Sequence, residues 1–87
     1  MDILIIEDEH RAVRQLQSML NDIDFEYNLL GAMDSVESAA HWFKDHKDSD
    51  LIFMDIQLAD GLSFEIFKNV KIDAPIIFTT AFDQYAI

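Results

Sequence analysis

The amino-acid sequence predicts a doubly wound α/β domain built on a parallel sheet. Three observations carry that reading. First, Ile3–Ile6, Leu51–Met54 and Ile76–Phe78 are short unbroken apolar runs. They lack the alternation of a half-solvated sheet and read as strands buried on both faces. Second, segments with helical spacing lie between them. Third, each run ends in acids or hydroxyls: Glu7-Asp8, Asp55 and Thr79-Thr80. In a parallel sheet all carboxyl ends share one edge, and open α/β folds bind their ligands there. Carboxylates that converge repel one another unless a hard cation sits between them. The pattern therefore points to an oxygen-lined Mg²⁺ site with an Asp beside it.

The elements follow in order. Residues 2–7 read as the first strand. A helix from Glu9 to Asp22 places Val13, Leu16 and Leu20 on one face. Residues 26–33 make a second strand, more polar, as expected near a sheet edge. Asp34 with Glu37 resembles a capping box, and Val36, Ala39, Ala40 and Phe43 then repeat at helical spacing towards Lys47. Residues 50–54 form the third strand, and Asp60-Gly61 is a turn signal. Leu62, Ile66 and Val70, four apart, predict a third helix over 62–70. Pro75 opens a fourth strand, 75–80. The order is βαβαβαβ, with right-handed crossovers. The chain stops directly after the fourth strand, where a doubly wound fold needs further cover. It reads as the N-terminal part, 1–87, of a longer protein. By itself it is expected to be marginally stable or to associate through the edge at Ile76-Ile77-Phe78.

Composition narrows the function. The chain has 87 residues with 51% hydrophobic content, which suits one small domain with a real core. Seventeen acids against six Lys and Arg give a net charge of -11. Such a surface repels phosphate backbones and anionic lipid, so direct nucleic-acid or membrane binding is not expected. There is no cysteine for a disulfide or thiolate site, no signal peptide and no apolar run long enough for a membrane span. A cytoplasmic setting fits. Most of the acids are solvated surface; only those at strand ends carry a site.

"ILIIEDE" (3–9), "LIFMDIQL" (51–58) and "IIFTTAFD" (76–83), in this order on three strand ends, resemble the receiver domain of bacterial two-component response regulators. "DIQLADGLSFEIF" and "TTAFDQYAI" are most similar to receivers joined to LytTR-type DNA-binding domains. The resemblance implies a flavodoxin-like fold with strand order 2-1-3-4-5. Its switch point then falls between the strands that carry Glu7-Asp8 and Asp55. It implies that Asp55 accepts a phosphoryl group from the phosphohistidine of a sensor histidine kinase. Asp8 matches a direct Mg²⁺ ligand and Glu7 one acting largely through water. Gln57 matches the residue whose backbone carbonyl completes the set. Thr80 matches the switch hydroxyl. The family further implies a signalling module rather than an enzyme, with autodephosphorylation at most, and a homodimer. DNA is reached only through an output domain absent from this chain.

Two departures stand beside the match. Receivers carry a Lys at the end of the fifth strand, with an aromatic switch residue near it. This chain ends before either, and Lys68 and Lys71 do not correspond. Ala59 also stands where many receivers have Pro, in a shorter loop.

Plainer readings compete for single residues. Glu7-Asp8 alone fits a helix N-cap cluster, and Asp55 a loop-starting Asp. Thr79 fits a structural β-residue. His10, His41 and His46 lack metal-ligand spacing and read as surface residues, with His10 near enough to the acids to shape access. Trp42 and the phenylalanines read as packing, Phe82 and Tyr85 as core or interface. Two other functions are open. A phosphohydrolase with Asp55 as nucleophile needs an acid two residues on, where Gln57 cannot transfer a proton. A phosphate-independent docking module would have no use for the acids and Thr80.

Overall fold

The computed structural model describes residues 1–46 and 49–79. Strand β1 (Asp2–Ile6) leads into helix α1 (His10–Asp22) and strand β2 (Asn28–Met33). Helix α2 (Val36–Asp45) and strand β3 (Leu51–Met54) follow. A two-plus-two hairpin, β4 (Gln57–Leu58) and β5 (Gly61–Leu62), precedes a 3₁₀ helix, Ser63–Lys68, and strand β6 (Ile76–Phe78). The main sheet is parallel with order β2-β1-β3-β6. The fold is thus the expected doubly wound, flavodoxin-like one, with the more polar β2 at an edge.

The unbroken apolar run of β1 has a simple cause. Ile3 and Ile5 pack against α1, together with Leu20, Val13 and Leu16. Leu4 and Ile6 point the other way and pack with Ala39 of α2 and Ile66 of the 3₁₀ helix. These four β1 side chains are at most 1% exposed. Each buried side chain of this size stabilises the fold by about 2 kcal/mol, so neither face tolerates a polar residue. The faces of α1 and α2 read from sequence are the buried faces, and Trp42 and Phe43 pack against the core as expected.

Three local expectations need correction. The cap of α2 is Ser35, not Asp34: its hydroxyl accepts from Ser38 N–H at 3.0 Å, and Ser38 answers on the Ser35 N–H at 3.3 Å. The helix starts at Val36, so the capping position falls one residue later than the Asp34–Glu37 spacing implied. It also ends at Asp45, short of Lys47, which lies outside the described residues. The third helix is a six-residue 3₁₀ segment starting at Ser63. Leu62 is spent in the hairpin, opposite Gln57, and is 36% exposed, whereas Ile66 is fully buried and Val70 packs at the core margin. The hairpin itself explains the short loop around Ala59. Ala59 and Asp60 make its turn, and Gly61 takes φ +146°, a conformation that disfavours any side chain.

Candidate acidic site at the carboxyl edge of the sheet

Three backbone hydrogen bonds set the site. Glu7 N–H donates to Met33 carbonyl at 2.8 Å, Asp55 N–H to Ile6 at 2.9 Å and Thr79 N–H to Met54 at 2.9 Å. Each extends a parallel ladder one residue past the end of its strand. Glu7 and Asp55 are therefore held by the sheet rather than by loops. Glu7, Asp8 and Asp55 each present a carboxylate oxygen, and these oxygens lie within 4.8 Å of one another. Asp8 is exposed; Glu7 and Asp55 are half-buried. Sequence reasoning brought these three acids together, and the fold does the same.

The electrostatics are those of acids crowded without a cation. Burial pushes the Glu7 carboxyl up from 4.5 to about 7. The Glu9 N–H, donating to it at 3.2 Å, pulls it back, and the Asp55 charge raises it again. Burial also raises Asp55. A hydrogen bond from Glu7 and the N–H groups of Ile56 and Gln57 oppose that rise, and the Asp8 charge adds to it. The pair thus retains a proton to unusually high pH, residing on Glu7. An all-oxygen donor set with surplus negative charge fits a hard divalent cation such as Mg²⁺, which would displace that proton.

Gln57 is positioned by the hairpin. Ser63 N–H donates to Ile56 carbonyl at 2.7 Å, immediately outside the Gln57–Leu62 pair. Antiparallel ladders alternate, so Gln57 and Leu62 face one another without bonding each other. The peptide edge of Gln57 is then directed away from Leu62, and its N–H is among the groups that lower the Asp55 pKa. The backbone carbonyl of Gln57 shares that edge, while its side chain is exposed.

Thr80, Phe82 and Tyr85 lie outside the described residues. Thr79, half-buried, lines a recess of about 220 Å³ with Glu7, Ile5 and α1 residues including Ala12 and Leu16. His10 opens α1 and is exposed. His41 faces Asp45 at 3.9 Å on the α2 surface, and His46 stacks on Trp42 at 4.5 Å. Neither approaches the acids in sequence or hydrogen bonding. Among the described residues no helix is long and apolar enough to cross a membrane.

One residue escaped sequence reasoning. The Asp60 carboxylate accepts from Val36 N–H at 2.7 Å and from Glu37 N–H at 3.1 Å. These bonds hold its pKa below the ordinary carboxylate value. Asp60-Gly61 signalled a turn, but nothing local shows that the turn caps a helix 24 residues earlier.

Comparison with known proteins agrees with this geometry. The response regulator receiver domain family matches residues 3–87. The sensory transduction protein LytT of Bacillus anthracis is 37% identical over 90 residues, covering 100% of this chain and 36% of LytT. The transcriptional regulatory protein LytR of Staphylococcus aureus is 32% identical over 96 residues, again 100% of this chain and 36% of the relative. The chain thus spans little more than a third of these relatives. Among solved structures, the response regulator PhyR from Brucella abortus superposes with TM-score 0.72 at 26% identity, covering 93% of this chain and 33% of that one. The MaeR response regulator bound to beryllium trifluoride superposes with TM-score 0.76 at 22% identity, covering 95% and 69%, and supports the fold. A match over nearly the whole chain, with the acids gathered at the switch point of the sheet, means that this chain belongs to the response regulator receiver domain family.

Proposed function

We propose that this domain is the phospho-accepting module of a two-component system and that Asp55 is the residue phosphorylated. The observation that supports it most is the convergence of Glu7, Asp8 and Asp55 oxygens within 4.8 Å at the end of β1 and β3. Receiver domains serve signalling, and the donor is a phosphohistidine on a sensor kinase. A carboxylate oxygen of Asp55 forms a bond to phosphorus as the N–P bond of the phosphohistidine breaks, and the electron pair returns to the imidazole nitrogen. Asp8 and Asp55 would hold Mg²⁺ directly, Glu7 largely through water, and Gln57 through its backbone carbonyl. Bound there, Mg²⁺ supplies positive charge against the transferring phosphoryl oxygens. Asp55 is presented for attack because its N–H is anchored on Ile6, and the N–H groups of Ile56 and Gln57 favour its ionised form. The Thr80 hydroxyl, by family resemblance alone, would report the phosphoryl group to the rest of the domain. The readout is then a LytTR-type DNA-binding domain elsewhere in the protein, acting as a dimer in the cytoplasm. The LytT and LytR relatives motivate that part of the proposal.

The test is phosphorylation of the full-length protein by acetyl phosphate, followed by intact mass and peptide mapping. One phosphoryl group on Asp55, dependent on Mg²⁺ and absent from Asp55→Asn, is the expected result. Label that persists in Asp55→Asn would disprove the assignment.

A further inference from the structure

Asp60 lies at the turn of the β4–β5 hairpin, five residues after Asp55. Both its carboxylate oxygens are engaged, one on Val36 N–H and one on Glu37 N–H. Those are the first two N–H groups of α2, and a helix leaves them without internal partners. The third, on Ser38, is taken by Ser35. The N-terminus of α2 is thus capped twice, once by its own Ser35 and once by a residue of a distant loop. Only the second cap ties two elements together. The hairpin it holds is short, with two pairs, Gln57–Leu62 and Leu58–Gly61. A two-pair hairpin is too small to hold its own geometry in water. Beneath the turn, Leu58 is 4% exposed and packs in the core with Ala39 of α2. At its open end Ser63 N–H is bonded to Ile56. Asp60 fixes the remaining end.

We propose that Asp60 is a positioning residue for the acidic site: by clamping the hairpin turn to the α2 N-terminus it holds the Gln57 peptide edge against Asp55. The inference rests on the functional reading above, in which Gln57 offers its backbone carbonyl to Mg²⁺. The mechanism is indirect. Asp60 touches neither the cation nor the phosphoryl group. It removes the freedom of the loop that carries one ligand, as outer-sphere partners do at metal sites. The double engagement needs two acceptor oxygens, so Asn at this position keeps one bond and loses the other.

The experiment compares Asp60→Ala and Asp60→Asn with two controls in the full-length protein. Ser35→Ala uncaps the same helix without touching the hairpin. Glu37→Gln removes a nearby negative charge without touching it either. Amide NMR is recorded first without metal and then through a titration with Mg²⁺ alone. Without metal, Asp60→Ala is expected to shift or broaden the Gln57 and Asp55 amides as well as those of Val36 and Glu37. Ser35→Ala should disturb only the α2 amides. In the titration, Asp60→Ala should weaken Mg²⁺ binding by about tenfold and Asp60→Asn by less, with both controls within about twofold of the parent. If Ser35→Ala weakens binding as much as Asp60→Ala, Asp60 is a helix cap and nothing more. If the Gln57 and Asp55 amides stay in place in Asp60→Ala, the positioning role is overturned. If the parent itself shows no saturable Mg²⁺ response at the three acids, the functional reading fails instead, and the metal-free spectra still decide the clamp.

Discussion

Glu7 and Asp55 present carboxylate oxygens within 4.8 Å of each other across the β1–β3 pair, and burial raises the pKa of both. Two ladder hydrogen bonds, Glu7 to Met33 and Asp55 to Ile6, prevent the acids from moving apart. Repulsion here is built into the backbone, and only a proton or a cation relieves it.

Stability without metal should fall as pH rises. The folded Glu7 value of about 7 exceeds the ordinary 4.5. Below 4.5 both folded and unfolded chains hold the proton, and no penalty exists. Between 4.5 and about 7 the folded chain binds more protons than the unfolded one, so unfolding becomes easier as pH increases. Above about 7 the loss levels off. Screening at this partly exposed site limits the effect to about 1 kcal/mol. Mg²⁺ binds the ionised form, so its stabilisation should be larger at pH 8 than at pH 5.5. Thermal melts with and without millimolar Mg²⁺ at the two pH values measure both trends. Equal melting shifts at the two would contradict a proton retained on Glu7.

Asp55→Asn should have opposite effects with and without the cation. Removing one of the crowded charges should raise metal-free stability at pH 8 by about 1 kcal/mol, given the partial exposure of the site. The same change should reduce the extra stability that Mg²⁺ confers. Chemical denaturation in EDTA and in Mg²⁺ separates the two, and a variant less stable than the parent in EDTA would refute the argument.

Ser63→Ala should stabilise the domain. Ser63 is fully buried, and among the described residues its hydroxyl has no hydrogen-bond partner. Its backbone N–H bond to Ile56 survives the change. Removing the unsatisfied hydroxyl should add about 1 kcal/mol. For a domain of this size that corresponds to a rise of about 5 °C in melting temperature. A lower melting point would mean that the hydroxyl has a partner, such as a buried water.

Leu4→Ala should cost about 3 kcal/mol, the usual loss for a large-to-small change in a close-packed core. Leu4 is fully buried on the face of β1 that packs with Ala39 of α2. The acids sit beyond its strand end, so a variant that still folds at low temperature should keep its Mg²⁺ response. Denaturant midpoints and an amide titration at 10 °C check the two halves of this statement.

The apolar runs, the buried faces of α1 and α2 and the placement of Glu7, Asp8 and Asp55 on one edge were legible in the amino-acid sequence. Each depends on local periodicity, and parallel pairing then forces the strand ends together. The receiver motifs were legible by their resemblance to that family, not by periodicity. Other features were decided only by the tertiary structure. Ser35 rather than Asp34 caps α2 because the helix start is set by packing of Val36 and Ala39 on the core. The 62–70 segment holds a 3₁₀ helix beginning at Ser63, because Leu62 is paired with Gln57 in the hairpin. Asp60 bonds N–H groups of α2 that lie 24 and 23 residues before it in the chain. Periodicity reports which face of an element is apolar. It carries no information about which distant N–H group a turn carboxylate will meet, since that distance is fixed only when the whole sheet is assembled.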